Sequence, residues 1–414
     1  MIAFLGLFGG GNIGNDSTLQ SMIYQLKRRL PDAKLLCISP DPFSAAELFN
    51  IPSVPMTPMF DRNFDDKGHV ASIIGYLAKR ILAEIKRFGV AVRTVREIDR
   101  LIIPGTGALD DFGVSPLGIP FTFFLWCFVA RLFGVRVEFV SIGAGPIVHP
   151  LSRFFMVNAL RLANYRSYRD VVSKDYLIDI GFNCESDLIY PDLAYSFPPE
   201  KIQDRRSAQV PPVIVGLGVM SYYGWRDDPV EGEGIFQEYI AKLSQFVIWL
   251  IEEGYSVRLL IGQGSDQRAV DDILLTVAQF DNTKMASIFT DTIETSEDLI
   301  YSISLTDIVI ATRFHNVIFS LMLGRPVIST GYAGKFQALL KDVGLSGYSQ
   351  KIEDLDVESL KNQFLSLVAN YPEIQRIIEN KNRQYRQQLD QQYDRLFVKL
   401  PESKPVNLQR SNIV

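Results

Sequence analysis

The chain has 414 residues, 47% of them hydrophobic, which suits two ordinary domains with full cores and excludes disorder as the ground state. A formal net charge of −5 argues against a dedicated nucleic-acid binder, which is usually basic. Three scattered cysteines (Cys37, Cys127, Cys184) and three scattered histidines (His69, His149, His315), with no CxxC or HExxH, exclude a disulfide framework and argue against a tightly held zinc ion, so no metal is expected.

The chain opens with MIAFLGLFGGGNIG, which has no basic leader and runs straight into glycines. It reads as a first core strand, not a signal peptide, and the expected location is cytoplasmic. Strands are then expected at Ile2–Phe8, Lys34–Ile38, Leu101–Pro104, Arg136–Ile142 and Leu188–Tyr190, with helical periodicity at Thr18–Leu30, Val70–Phe88, Thr122–Phe133, Leu151–Ala163 and Val171–Ile180. The alternation implies β-α units around a parallel sheet. SFPPEKIQDRRSAQVPP, residues 196–212, is rich in proline and charge and reads as a linker. Alternation resumes with strands at Val213–Val219, Ser256–Ile261, Ser287–Phe289, Asp307–Ala311 and Pro326–Thr330, and helices at Phe236–Glu253, Arg268–Phe280 and Asn316–Leu323. The expected fold is therefore α/β, with Rossmann-like domains at 1–195 and 213–357 facing across a cleft. Residues 358–400 form helices packing across both, and 401–414 form a tail. Ligands should bind beyond the carboxyl ends of the strands.

Four glycine- or charge-bearing strand ends carry the candidate chemistry. GLFGGGNIGND (Gly6–Asp16) leads from strand to helix, so Gly10, Gly11 and Asn12 can let the backbone approach an anion; the plainer reading is a tight turn capped by Asn15 or Asp16. It does not fit GxGxxG cleanly, nor is the ribose-binding acid downstream persuasive. IIPGTGALDDFG offers Asp110 or Asp111 as a base toward a sugar hydroxyl, or as solvated loop residues. SIGAGPI and then YRSYRDVVS follow; Arg169 at a strand end can fork onto carboxylate or phosphate, or pair with a neighbouring acid, while Asp170 reads as a helix cap. DIVIATRFHNVIFSLMLGRPVIS is the sharpest. Arg313 and His315 are two apart at the end of a buried strand and share a face, at the start of a helix whose dipole favours an anion. Lys335, after the next strand, can hold phosphate or be a plain surface lysine on a helix. MSYYGWRDD gathers Tyr222, Tyr223 and Trp225, which can cover the apolar face of an acceptor sugar or simply pack.

This ordered set, GGGNIGND, GTGALDD, GAGP, Arg169-Asp170, Pro191-Asp192-Leu193 and ATRFHNVIFSLMLGRPVI with Lys335 downstream, resembles the polysaccharide pyruvyl transferase family over roughly residues 4 to 345. Two departures are Asn15 where the family often has Asp, and GTG where it has GGG. The resemblance implies a GT-B architecture and transfer of pyruvate from phosphoenolpyruvate to a sugar of a cell-surface or extracellular polysaccharide precursor, as a ketal, without a cofactor. It implies His315 as general acid, Arg313 and Arg169 as clamps on carboxylate and phosphate, Lys335 assisting, and Asp16 or Asp111 activating the acceptor. The competing readings are a nucleotide-sugar glycosyltransferase of the same fold and a non-catalytic glycan-binding protein. His69–Glu97 combines an apolar face with Lys79, Arg80, Lys86, Arg87, Arg93 and Arg96, a pattern shared by packed solvated helices and by helices lying on anionic membranes, as a lipid-linked acceptor would suit.

Overall fold

The computed structural model describes residues 1–57, 70–105, 107–202, 214–224 and 228–397. Two parallel sheets account for its strands. The first runs β3-β2-β1-β4-β5-β6-β7, with β1 (Ile2–Leu5), β2 (Leu35–Ser39), β3 (Ser53–Pro55), β4 (Arg100–Pro104), β5 (Arg136–Ile142), β6 (Tyr165–Tyr168) and β7 (Leu188–Ile189). The second runs β10-β9-β8-β11-β12-β13, with β8 (Ile214–Gly218), β9 (Ser256–Leu260), β10 (Ile288–Thr290), β11 (Ile308–Ala311), β12 (Val327–Gly331) and β13 (Ser349–Lys351). IAFL and IVIA are buried at every residue, because helices cover both faces of a parallel sheet. In each sheet the strand order reverses beside its first strand, at β1/β4 and β8/β11. A crevice opens there at the carboxyl ends.

The first half carries α1 (Ile13–Arg29), α2 (Pro42–Phe49), α3 (Val70–Val95), α4 (Ile119–Leu132), α5 (Pro150–Arg161) and α6 (Val171–Asp179). The second carries α7 (Pro229–Glu252), α8 (Gln267–Phe280), α9 (Ser296–Ser304), α10 (Phe314–Met322) and α11 (Gly334–Val343). Then come α12 (Val357–Ala369) and α13 (Tyr371–Phe397). Helix α1 starts at Ile13, ahead of the Thr18 expected, because the Asn12 side chain accepts from the Asn15 N–H and caps it. The short α2 and β3 have no counterpart in the sequence reading.

Helix α13 holds the halves together. Its Gln392 is fully buried, accepts from the Ser141 hydroxyl (3.1 Å) and donates to Ser167 (2.8 Å) in the first half. Its Asn382 donates to the Leu321 carbonyl (2.6 Å) at the end of α10 in the second. Ser196 and Phe197, read from sequence as the start of a linker, are buried; the Ser196 hydroxyl meets that of Tyr393 at 2.8 Å. Residues 203–212 of that linker and the 401–414 tail lie outside the described residues. One apolar cluster runs from α1 and α2 through the whole second half into α13, while a separate one underlies α3, α4 and α5.

Candidate active site

Between the carboxyl edges of the sheets lies a cavity of about 200 Å³. The loops after β1, β4 and β6 supply Asn12, Gly14, Asp110 and Arg169; the loops after β9, β11 and β12 supply Gly262, Arg313, His315, Asn316, Tyr332 and Lys335. Helices α10 and α11 both begin at its wall with no side chain capping their first turns. Their free N–H groups and dipoles are therefore available to an anion.

The key side chains lie flat on glycines. A Cβ on Gly14 would stand 1.9 Å from His315 Nδ1, and one on Gly143 would stand 2.6 Å from the Arg169 guanidinium. His315 Nε2 points toward Asp192 Oδ1 at 3.9 Å and has no hydrogen-bond partner among the described residues. Burial, aided by Arg169 and Lys335 and opposed by Asp192, depresses its pKa to about 4, so the imidazole is neutral near pH 7. Arg169 pairs with Asp192 (3.3 Å) and lies over the Phe314 ring (4.8 Å), as does Lys335 (5.1 Å). Burial and Arg169 together lower the Lys335 amine to about 8; no carboxylate among the described residues lies within ion-pair distance of it. Arg313 forks onto the fully buried Asp266 through Nε (2.9 Å) and Nη2 (2.5 Å). Asn316 is fully buried at the cavity wall, and neither its amide oxygen nor its nitrogen has a partner among the described residues. A buried amide left unpaired in this way is costly unless a ligand or water completes it. Asp110 faces the same cavity; burial raises its pKa against the pull of Lys335, the Phe112 N–H and Arg169.

The sequence pattern of the polysaccharide pyruvyl transferases matches residues 12–334, most of the chain and all of this cavity's lining but Leu7 and Lys335. The protein belongs to the polysaccharide pyruvyl transferase family. A curated relative, the amylovoran biosynthesis protein AmsJ of Erwinia amylovora, is 26% identical over 142 residues, a stretch spanning 34% of this chain and 34% of AmsJ. Among solved structures, UDP-GlcNAc 2-epimerase of Neisseria meningitidis bound to UDP-GlcNAc superposes with a TM-score of 0.54 at 10% identity, covering 91% of this chain and 93% of that one. A glycosyltransferase of Rickettsia africae gives 0.56 at 12% (97% and 99% covered), and Acinetobacter baumannii MurG 0.52 at 13% (96% and 99%). At such identities they establish the fold, which is GT-B. As a family member the chain is a transferase of polysaccharide biosynthesis.

Of the residues singled out from sequence, His315, Arg313, Arg169, Lys335 and Asn12 line this cavity, and Gly10, Gly11, Asp16 and Asp111 do not. Asp16 is buried in the first turn of α1 and accepts the Gly9 N–H (2.8 Å), clasping the glycine loop rather than facing a substrate. Both Asp111 oxygens are occupied by the N–H groups of Val148 and His149 (2.8 Å each), so the carboxylate turned to the cavity is its neighbour Asp110. Gly10 and Gly11 sit at the exposed tip of the loop. Tyr222 and Tyr223 are corrected likewise. Tyr222 is buried with its hydroxyl on Glu353 (2.6 Å), and Tyr223 stacks on Phe236, both away from the cavity; Trp225 lies outside the described residues. Asp192, Asp266, Asn316 and Gly14 had no assigned role. Three of them left a trace in the quoted motifs, Gly14 in GGGNIGND, Asp192 in Pro191-Asp192-Leu193 and Asn316 in ATRFHNVIFSLMLGRPVI, and Asp266 left none.

A second cavity, of about 350 Å³, adjoins the first. Arg169, Phe314 and Lys335 form the wall common to both. Its other side is made by Tyr190, Asp192 and Tyr195 after β7 and by Asp342, Lys381 and Tyr385 from α11 and α13. The Tyr195 hydroxyl is buried there without a hydrogen-bond partner among the described residues.

Proposed function

We propose that the protein transfers pyruvate from phosphoenolpyruvate to a sugar of a polysaccharide precursor, forming a ketal and releasing phosphate. The observation that carries the reading is a small cavity that gathers Arg169, Lys335, two uncapped helix starts and an unpaired neutral histidine. Phosphoenolpyruvate is small and carries both carboxylate and phosphate, and fixed cations with helix N-termini suit both. Its negative charge would draw a proton onto His315 Nε2, raising a pKa that burial alone holds down. The imidazolium then gives that proton to the methylene carbon. One sugar hydroxyl bonds to the adjacent carbon and a second displaces phosphate there. Of the two hydroxyl protons, one restores the imidazolium's loss and the other leaves with the phosphate. Asp110, its pKa raised, is the base for the first hydroxyl. Asn316 donates to the donor. The acceptor enters from the second cavity, where Tyr190 and Tyr385 offer ring faces and Asp192 and Asp342 offer hydroxyl acceptors.

The test has two readouts. Calorimetry of phosphoenolpyruvate binding in buffers of different ionisation enthalpy should show proton uptake by the unmodified protein near pH 7 and none by His315→Asn, which still binds. Phosphate release with a panel of lipid-linked and nucleotide-linked sugars should fall by about 10²–10⁴-fold in the same variant. Absence of phosphoenolpyruvate binding would sink the donor assignment, and turnover of UDP-sugars instead would replace it with glycosyl transfer.

A further inference from the structure

Helices α3, α4 and α5 pack side by side on one face of the first sheet, with α4 in the middle. Their outward side is apolar. Leu82, Ile85 and Phe88 stand exposed along α3, Phe128 and Leu132 along α4, and Phe154 on α5; Leu132 is 62% exposed and Ile85 61%. Phe124 stacks on Phe128 and leans on Phe154, joining two helices into one aromatic surface. Isolated exposed apolar side chains are ordinary, but a continuous patch across three helices marks a contact surface.

Charge identifies the partner. The three helices carry eight lysines and arginines and one acid, Glu84, which is itself paired with Arg87 (3.4 Å), although the whole chain has a net charge of −5. Cations also sit against rings of these helices: Arg87 lies over the half-buried Phe121 and Arg96 over the exposed Phe133. A flat aromatic and aliphatic face with such a basic surround complements a surface that is apolar inside and anionic outside, which is a membrane of acidic lipids. Among the described residues no helix is long and apolar enough to cross a bilayer, so the contact is peripheral. The face also reaches the cleft. The loop leading into α4 carries Asp110, and the loop leading into α5 ends in Val148 and His149 with Val148 77% exposed.

We infer that the α3–α4–α5 face docks this protein on an anionic lipid surface, with the cleft mouth at the bilayer edge where a lipid-linked acceptor would present its sugar. The acceptor clause rests on the pyruvyl transfer reading; docking itself does not, and vesicle binding needs neither donor nor acceptor. The test is co-sedimentation with phosphatidylcholine vesicles, with and without about a third phosphatidylglycerol. The unmodified protein should partition onto the anionic vesicles and scarcely onto the neutral ones. Both Phe128→Glu/Leu132→Glu and Lys86→Glu/Arg93→Glu should reduce partitioning by about tenfold or more, since one removes the inserted face and the other the attraction. All these positions are exposed, and circular dichroism should confirm that the variants fold. No partitioning, equal partitioning onto neutral vesicles, or unchanged binding by both variants would overturn the proposal. So would a dimer in sedimentation velocity that Phe128→Glu/Leu132→Glu disperses, because the face would then belong to a second copy of the chain.

Discussion

Asp16 shows how a single side chain can be read from sequence either as structural or as chemical. Following a glycine loop, a carboxylate invites the role of base, yet its oxygen closes that loop on the Gly9 N–H. Burial raises its pKa to about 6, above the ordinary carboxylate value near 4. A raised carboxylate pKa means the folded state disfavours the charge. That cost is absent below the ordinary value and complete above about pH 6. Asp16→Asn keeps an acceptor for Gly9 and removes the charge. It should therefore raise stability at pH 7.5 by on the order of 1–3 kcal/mol, read as a higher melting temperature, and by about half as much at pH 5. A gain independent of pH would mean that burial of the charge is not the cause. Asp110 and Asp111 make the same point from the other side. Adjacent in sequence, they part at their partners: both Asp111 oxygens are claimed by the Val148 and His149 N–H groups, whereas Asp110, with the Phe112 N–H beside it, still lines the cavity.

At the scale of elements, the glycine turns do something the sequence reading did not assign to them. Glycines at strand ends suggest backbone approaching a ligand. Gly14 instead makes room for His315, which arrives from the other half of the molecule. It lies inside α1 and off the positive-φ region, so alanine suits its backbone and only the space is missing. Gly14→Ala should leave thermal stability nearly unchanged, since alanine favours a helix by about 1 kcal/mol over glycine and offsets part of the crowding. Displacing the imidazole should lower kcat by about a hundredfold, as misplacement of a reacting group by an ångström can. Unaltered kcat would show that His315 tolerates the shift. The Arg-x-His pair itself was legible because a strand end, a helix start and a fixed cation are all local. Its supports, Gly14 and Asp192, belong to segments far away along the chain and could not be linked to it by spacing.

Across the whole molecule, the apolar cluster of α1, the second sheet and α13 is continuous, so the two halves share a core rather than a hinge of polar contacts. Such halves should unfold together. Calorimetry should show one transition, and Gln392→Ala should lower it by about 2–3 kcal/mol, because Ser141 and Ser167 lose their buried partner. Two separate transitions would refute the shared core. Ser141 adopts φ 49° where β5 shifts register against β6, two residues before the glycine that seats Arg169, so α13 also supports the shape of the cavity. This coupling was only partly visible from sequence. The polar helical stretch after residue 358 was legible as a helix, but not which of its glutamines would be buried.

The amino-acid sequence by itself determined the alternation of strand and helix, the two sheets and the ordered motifs that mark the family, because periodicity, caps and glycine turns act over a few residues. Tertiary structure alone decided which carboxylate faces the cavity, that Arg313 is held by Asp266, that Tyr222 and Tyr223 are packing residues, and that a second cavity shares a wall with the first. Those outcomes depend on which distant hydrogen-bond partner or ring reaches a side chain first, and no local pattern encodes that competition.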